Sequence, residues 1–360
     1  MGRPGRNREP QMKRRKYLLR AALGLSVFFF PTWVYPQTLF YKGRTITIVQ
    51  SSGPGGTADM RIRSIMPFLQ KYVPGNPTIV TEYMPGGGGR KAANYIYRAR
   101  PDGLRILSAG SGVIPLAMTG EVGVLYDIDK LIYLGTPYSA YHSLFFTRKE
   151  LGLNTVDRLR GASGVRVGAQ SVGHATYSEA RLFAYLLGLK EPSFIVGYTG
   201  PELDLALASA EIDARSSATE TVLSRKPDWV EKALMDFHAI LEVPKGNMHP
   251  RFSHLPELET FAKSDKEKKV LALLRAFKAA GAPIVLPPAT PEERVAVLRE
   301  AFRRTFKDPA FHKEYKKVVT EEPTPLMPEV HEKVIREIPR SPEVTELFKR
   351  LSGPGPLPPR

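Results

Sequence analysis

The chain has 360 residues, 42% of them hydrophobic, which is enough for two domains of ordinary size with a proper core. It contains no cysteine, which excludes disulfides, thiolate metal sites and a cysteine nucleophile. The formal net charge of +16 favours anionic partners without saying which ones, and a solubilising excess of charge is the simpler explanation for it.

The first 36 residues have the composition of an export signal. MKRRKYLLR, starting at Met12, is basic, and AALGLSVFFFPTWVY after it is an apolar stretch of signal-peptide length. We therefore predict a signal peptide over residues 1–36 and a periplasmic location for the mature chain. Two points stay open. An uncleaved anchor is the alternative, because no Ala-x-Ala precedes Gln37, and the true start is either Met1 or Met12.

From residue 44, short β-rich runs alternate with amphipathic segments. Ile62, Ile65 and Leu69 recur on one face of a predicted helix, which Pro67 should kink or split. This alternation is typical of a parallel α/β sheet. The predicted strands here are 44–52, 76–84 and 105–110, with helices over 57–73 and 90–98 between them.

The same alternation continues in the second half of the chain. Thr290 is predicted to cap a helix that has Pro291 at its first position. The Gly/Pro-rich tail, residues 351–360, is predicted to be disordered. The remaining predicted strands are 143–148, 164–170, 193–198, 211–217, 237–243 and 282–288, and the remaining predicted helices are 175–189, 201–210, 290–308 and further helices to about 350.

Two glycine-rich loops each follow a predicted strand and lead into a predicted helix. The first is SSGPGGTAD, residues 51–59, and the second contains Gly86–Gly89. The first amides of a helix are unpaired and lie at the positive end of its dipole, so such ends bind anions, and glycine lets a ligand reach the backbone. Loops of this kind on neighbouring strands predict a backbone clamp for a carboxylate. Asp59 is predicted to accept backbone N–H bonds and to hold the first loop in shape.

A dinucleotide site is the alternative interpretation of the first loop. Gly53, Gly55 and Ala58 fit G-x-G-x-x-A, and Glu82 ends the next predicted strand, where a ribose-binding acid would stand. Pro54 counts against it because it stiffens the loop that should wrap a pyrophosphate. A second glycine run is also foreign to that pattern, and nicotinamide cofactors are scarce outside the cytoplasm. An α/β enzyme with a dinucleotide cofactor nevertheless stays open at this point.

Signatures of other activities are missing from the sequence. It contains neither G-x-S-x-G nor H-E-x-x-H, and its seven histidines are scattered without a metal-ligand spacing. The basic residues are not interleaved with aromatic ones, as nucleic-acid binding would favour. We therefore expect a protein that is not an enzyme, that needs no cofactor or metal, and that does not bind nucleic acid.

Three stretches of the sequence resemble the Bug family, the extracytoplasmic solute receptors of tripartite tricarboxylate transporters. Gly55-Gly56-Thr57-Ala58-Asp59 fits the family's G-G-x-x-D motif, Pro85-Gly86-Gly87-Gly88-Gly89 its second motif, and Pro101-Asp102-Gly103 its third. Gly87 stands where the family usually has alanine, and Tyr83 where it usually has asparagine. The stretches are YKGRTITIVQSSGPGGTADMRIR, YVPGNPTIVTEYMPGGGGRKAANYIYRARPDG and LPPATPEERVAVL.

This resemblance, which covers about residues 40 to 340, implies a type II periplasmic binding protein fold. Such a fold has two α/β domains with a ligand cleft between them. Here domain 1 would comprise residues 37–137 and 282–350, and domain 2 residues 138–281. The resemblance implies a monomeric receptor that captures a small carboxylate, an organic acid anion, for integral-membrane transporter subunits. A receptor of the same fold that reports its ligand to a sensor kinase stays possible.

Loop amides and hydroxyl groups should hold the carboxylate in such a receptor. In the second domain, Ser171, His174 and Thr176 follow a predicted strand, and Tyr198 and Thr199 end the next one. His174 also fits a helix cap, and Tyr198 also fits hinge packing. The predicted ligand-binding residues are Gly55, Gly56, Thr57, Gly86, Gly87, Gly88, Ser111, Ser171, His174, Thr176, Tyr198 and Thr199.

Overall fold

The computed structural model describes residues 1–2 and 40–360 of the chain. Apart from those first two residues, the predicted signal segment lies outside the described part. Within residues 40–360, no helix is both long and apolar enough to cross a membrane. The strands are β1 (Thr45–Gln50), β2 (Thr78–Tyr83), β3 (Arg105–Ser108), β4 (Ile132–Gly135), β5 (Ser143–Arg148), β6 (Arg166–Gly168), β7 (Ser193–Ile195), β8 (Ala214–Ala218), β9 (Met235–Leu241) and β10 (Ile284–Leu286).

The helices lie between these strands and after the last of them. Side-chain caps fix several of their starts, as at α6, where Thr199 and Glu202 form a reciprocal capping box. The helices are α1 (Thr57–Tyr72), α2 (Arg90–Tyr97), α3 (Val113–Met118), α4 (Val156–Gly161), α5 (Ala175–Leu187), α6 (Gly200–Ala208), α7 (Thr219–Arg225), α8 (Asp228–Glu231), α9 (Asp265–Ala279), α10 (Glu292–Lys307), α11 (Pro309–Val319), α12 (Pro328–Arg336) and α13 (Pro342–Ser352).

The strands form two five-stranded sheets. The first sheet has the order β2-β1-β3-β10-β4, and the second has the order β7-β6-β8-β5-β9. In the first, β1 runs parallel to β2 and β3, whereas β10 is antiparallel to both β3 and β4. In the second, β6 runs parallel to β7 and β8, and β5 is antiparallel to β8 and β9. The loops after parallel strands of one sheet leave at a common edge, which is where α/β proteins place their sites.

Apolar faces of the helices cover both sheets. One buried cluster joins β1, α1, α10 and α11, with Ile48, Ile65 and Phe302 fully covered. Another lies under the second sheet and includes Leu144 and Phe146 of β5. Every sheet therefore has helices packed on it, as an α/β fold requires.

In three places the local structure differs from the prediction in whole or in part. Pro67 lies inside α1, which is one helix from Thr57 to Tyr72, so the helix is not split there, and the kink stays a prediction. Thr290 does not cap α10, because its hydroxyl donates to the carbonyl of Pro287, and Pro291 itself precedes the first helical residue. The strand β4, Ile132–Gly135, was not predicted, and it joins the first sheet by pairing with β10.

The C-terminal residues 351–360 also differ from the predicted disorder. Leu351 is buried at the end of α13, and the guanidinium of Arg360 donates to Glu267 and to the carbonyls of Leu186 and Phe261. A proline-rich composition lowers the gain from burial, but here charged hydrogen bonds hold the segment in place.

The helix α13 packs against α5 and α9, which accompany the second sheet. Phe348 of α13 meets Phe277 of α9 with ring centres 5.2 Å apart. The chain after β10 thus returns to the first sheet through α10 and then reaches the helices of the second sheet. The division into domains at 137/138 and 281/282 stays a prediction.

Candidate functional site

A cavity of about 140 Å³ lies between the two sheets. Loops that follow β1, β3 and β6 line it, so it sits at the carboxyl ends of parallel strands from both sheets. Much of the lining consists of hydroxyl groups, which both donate and accept hydrogen bonds. Examples are Ser51, Ser52, Ser108, Ser111, Thr176 and Ser217.

The first glycine loop reaches this cavity. Gly56 and Thr57 line it, and the hydroxyl of Thr57 lies 3.0 Å from that of Thr221 on α7. Gly55 is not part of the lining, because its amide instead donates to Asp59 Oδ2 at 3.0 Å. The first loop therefore presents one face to the cavity and ties its other face to α1.

Asp59 is almost fully buried behind this loop. Besides the Gly55 amide, it accepts hydrogen bonds from Gln50 Nε2, Tyr83 Oη and Arg63 Nε at 2.7–2.9 Å. Burial alone would raise its pKa, but these donors together hold the pKa below the usual value. An ionised carboxylate with this set of partners fixes the loop and does not face the cavity.

The second glycine loop lies elsewhere. Gly86, Gly87 and Gly88 are not among the residues that line the cavity. All three have positive φ, and a β-carbon on Gly88 would lie 2.5 Å from the carbonyl oxygen of Gly173. The room left by the missing side chain is thus filled by the backbone that follows β6, where we had predicted a ligand carboxylate.

The loop after β6 and the first turn of α5 supply two lining residues of the predicted set, His174 and Thr176. His174 also caps α5, since its Nδ1 accepts from the Thr176 amide at 3.2 Å, which leaves the ring proton on Nε2. Enclosure by protein lowers the pKa of His174 to about 4, even though part of its surface is open on the cavity side. Ser171 is not in the lining, because its hydroxyl accepts from the Gly88 amide at 3.2 Å.

Tyr198 and Thr199 do not line the cavity either. The hydroxyl of Tyr198 donates to Glu211 at 2.6 Å, and that of Thr199 caps α6. Both side chains are therefore occupied in local structure. Ser111, which follows β3, is part of the lining.

Charged side chains in the lining are what sequence reasoning missed. Arg61 of α1 is buried, forms an ion pair with Glu220 of α7, and lies over the ring of Tyr138 with its Cζ 3.6 Å from the ring centre. Its Nε has no hydrogen-bond partner among the described residues. A signal existed, because position 61 lies one turn before Ile65 on the buried face of α1, where a cation is out of place.

Two further arginines line the second-sheet side of the cavity. Arg215 of β8 and Arg225 of α7 both bind Asp204 of α6, with Arg215 Nη1 2.5 Å from Asp204 Oδ1. Burial lowers the pKa of Arg215 to about 10, and the nearby charge of Arg225 acts in the same direction against the attraction of Asp204. Arg215 is therefore still charged at neutral pH.

A third charged group of the lining is already paired. Glu179 of α5 lies 3.0 Å from Lys278 Nζ, and the hydroxyl of Ser143 bridges the two. Lys278 also lies 3.6 Å from the centre of the Tyr141 ring. Burial lowers the pKa of Lys278, and the attraction of Glu179 opposes that shift. Within residues 40–360, no group of three or more His, Cys, Asp or Glu residues could hold a metal ion.

Taken together, the cavity offers guanidinium groups, hydroxyls and a small enclosed space. Guanidinium is the side chain that best matches a carboxylate or phosphate, and hydroxyls serve the rest of a polar molecule. The arrangement can therefore hold a small organic anion away from bulk water.

One sequence relative matches part of the chain. No family model matches the chain. A UPF0065 protein of Bordetella bronchiseptica is 28% identical over 94 residues, a match that covers 26% of this chain and 28% of that relative.

Solved structures match along nearly their whole length. The periplasmic binding protein BugD superposes with a TM-score of 0.66 at 18% identity, covering 87% of this chain and 99% of BugD. MatC of Rhodopseudomonas palustris, solved with malate, superposes with a TM-score of 0.65 at 19% identity, covering 86% of this chain and 99% of MatC. A second R. palustris protein, solved with adipate, superposes with a TM-score of 0.64 at 16% identity, covering 86% of this chain and 97% of that protein.

The fold is thus that of the two-domain α/β periplasmic binding proteins, and the predicted fold class is confirmed. The fold that the resemblance to the Bug family implies is therefore the fold that this chain shares with BugD, and part of the chain shares sequence with a UPF0065 protein.

Proposed function

We propose that the protein is an extracytoplasmic solute-binding receptor that captures a small carboxylate and delivers it to a transporter of the tripartite tricarboxylate type. The observation that carries the proposal is the enclosed cavity between the two sheets, into which the buried arginines Arg61 and Arg215 are built. Burying a guanidinium away from bulk water is costly, and Arg215 shares its one counter-charge, Asp204, with Arg225, so an anionic ligand would offset the remaining cost.

Relatives of this chain support the same class of ligand. MatC was solved with malate and another R. palustris protein with adipate, both of them organic acid anions. BugD is described as a periplasmic binding protein, which supports a periplasmic location here. Delivery to membrane subunits, action as a monomer and removal of the signal segment belong to the proposal.

The alternative of a dinucleotide enzyme fits the first loop poorly. A β-carbon on Gly53 would lie 3.3 Å from the Thr199 methyl carbon, and one on Gly55 would lie 3.8 Å from Pro201. The start of α6 therefore covers the space in front of α1 where a pyrophosphate would lie. Glu82 is partly exposed and lies 3.7 Å from Arg105, so it is engaged at the surface.

Titration calorimetry and thermal unfolding of residues 37–360 test the proposal. At least one of malate, adipate and their monoamides should bind with one-to-one stoichiometry and raise the midpoint of unfolding, whereas NAD should do neither. Stabilisation by NAD without stabilisation by any carboxylate would favour the enzyme. Loss of carboxylate uptake on deletion of the gene would separate transport from a sensor role, because a sensor would alter transcription instead.

A further inference from the structure

Two arginines of the cavity lining, Arg215 and Arg225, share one acidic partner, Asp204, which is not itself part of the lining. Asp204 lies between Arg215 and Arg225, one guanidinium on each of its carboxylate oxygens. The exposed fractions of these side chains are 5% for Asp204, 2% for Arg215 and 11% for Arg225, so water screens the group little. One negative charge therefore faces two positive ones.

The other charged groups of the lining are balanced. Arg61 pairs with Glu220, and Glu179 pairs with Lys278. His174 lies on the same wall and is neutral at pH 7, because burial lowers its pKa to about 4. None of these groups compensates the excess charge at Asp204.

The remaining titratable groups of the lining are phenols. Burial raises the pKa of Tyr138 to about 12 and also raises that of Tyr141, so both are uncharged at neutral pH. The charged residues of the cavity and their direct partners thus carry one more positive than negative charge. A buried charge without a counter-charge is unfavourable, and a ligand can supply the missing one.

We propose that Arg215 and Arg225 together bind the ligand carboxylate, and that the cavity selects molecules with a single net negative charge. This inference rests on the proposed function and specifies its substrate class as small monocarboxylates. The rest of the ligand meets hydroxyl groups and the already neutral Glu179–Lys278 pair. Among the described residues that line the cavity, the other cation, Arg61, is already paired with Glu220, so a second carboxylate on the ligand would lose its hydration shell without gaining a counter-charge.

The experiment compares ligands of equal shape and unequal charge. Succinate and its monoamide succinamate differ by one charge, as do adipate and adipamate. Calorimetric titration of the wild-type chain should give dissociation constants about tenfold or more lower for the monoamides, because the second carboxylate of the diacid would lose its hydration without gaining a cation. Equal or tighter binding of the dicarboxylates would overturn the inference and leave the proposed function intact.

Variants of Arg225 test the side chain itself. Arg225→Met removes the excess charge and should weaken monocarboxylate binding by about tenfold to a hundredfold. Arg225→Lys keeps the charge and should retain the preference for monoamides, although with weaker binding. Arg158→Met is the matched control, since Arg158 is exposed and contacts only Gly152 and Asn154 among the described side-chain hydrogen bonds.

The outcomes separate the two proposals. Wild-type affinity in Arg225→Met, with native circular dichroism, would mean that the arginines only stabilise the fold and would overturn the inference. If Arg225→Met does not fold, the wild-type ligand comparison still decides the question of charge. A wild-type chain that binds neither member of either pair would overturn the proposed function, and with it this inference.

Discussion

The backbones of Gly88 and Gly173 cross without room for a side chain between them. A β-carbon built on Gly88 would lie 2.5 Å from both the carbonyl carbon and the carbonyl oxygen of Gly173. The Gly88 amide also donates to Ser171 Oγ at 3.2 Å. The second glycine loop therefore joins the half of the protein that holds the first sheet to the loop after β6, next to the cavity that His174 lines.

The first prediction concerns this crossing. Gly88→Ala should separate the two loops and weaken carboxylate binding by about tenfold or more, because contacts that enclose the cavity would be lost. Gly87→Ala is the matched control. Both residues have φ near +60°, so alanine suffers similar backbone strain of about 1–2 kcal/mol at either one. At Gly87, however, the new methyl group meets only the flexible side chain of Arg90.

Calorimetric titration, with small-angle scattering of the free proteins, distinguishes the two variants. Gly88→Ala should be more expanded and bind more weakly than Gly87→Ala. A strain-free check is Gly112→Ala, since Gly112 has negative φ but a β-carbon there would lie 2.6 Å from the Gly173 carbonyl oxygen. If all three variants bind like the wild type, the crossing does not control ligand binding.

The second glycine loop also shows what the sequence can tell and what it cannot. Four consecutive glycines predict correctly that something approaches the backbone closely. Whether that neighbour is a ligand or another loop depends on Gly173, which lies more than eighty residues further along the chain. Local pattern carries no information on such a partner, so the loop was interpreted through its helix N-terminus alone.

The charged residues of the cavity illustrate the same limit. The alternation of strands and helices depends on local hydrophobic period, and for that reason most elements were predicted near their observed positions. Arg215 in the strand β8 and Arg225 at the end of α7 carry no local signal of a shared partner. Only the fold brings Asp204 between them, and the excess charge is a property of the three together.

The second prediction concerns Asp204 and stability. Asp204→Asn should lower the free energy of unfolding by about 3–5 kcal/mol, because it leaves two buried guanidinium groups without a counter-charge. Asp228→Asn is the control, since Asp228 and Lys232 form a pair that is more than half exposed, and its loss should cost at most about 1 kcal/mol. Urea unfolding of the two ligand-free variants measures both changes in the free energy of unfolding. Similar values for the two would mean that water reaches Asp204 freely.

The third prediction concerns acid. Burial lowers the pKa of His142, His238 and His331 to about 4 in the folded chain, whereas an exposed histidine has a pKa near 6.5. Between these pH values the unfolded chain binds protons that the folded chain does not. The free energy of unfolding should therefore be fully retained above pH 6.5 and fall as the pH is lowered towards 4.

A pair of variants isolates one of these groups. His238→Gln should reduce the slope of the free energy of unfolding against pH by the equivalent of about one bound proton, or roughly 1.4 kcal/mol per pH unit. Thr147→Val removes the hydroxyl that lies 2.9 Å from His238 Nε2 but removes no titratable group. It should shift stability at every pH and leave the slope unchanged. A slope in His238→Gln equal to that of the wild type would show that His238 titrates alike in both states.

The last prediction concerns the C-terminal segment. Arg360 donates to Glu267 at 2.8 Å and to the carbonyls of Leu186 and Phe261, and only 15% of its side chain is exposed. Replacing it with methionine keeps the apolar stem but removes three charge-assisted contacts. Arg360→Met should lower the free energy of unfolding by about 1–3 kcal/mol, because a nearly buried Glu267 then lacks its cation.

Arg350→Met, at an exposed arginine of α13, is the control and should change the free energy of unfolding by less than about 0.5 kcal/mol. Urea unfolding measures both values, and amide exchange after Gly353 provides a second check. Equal stability of the two variants, with fast exchange in that segment, would restore the original expectation that the tail is disordered.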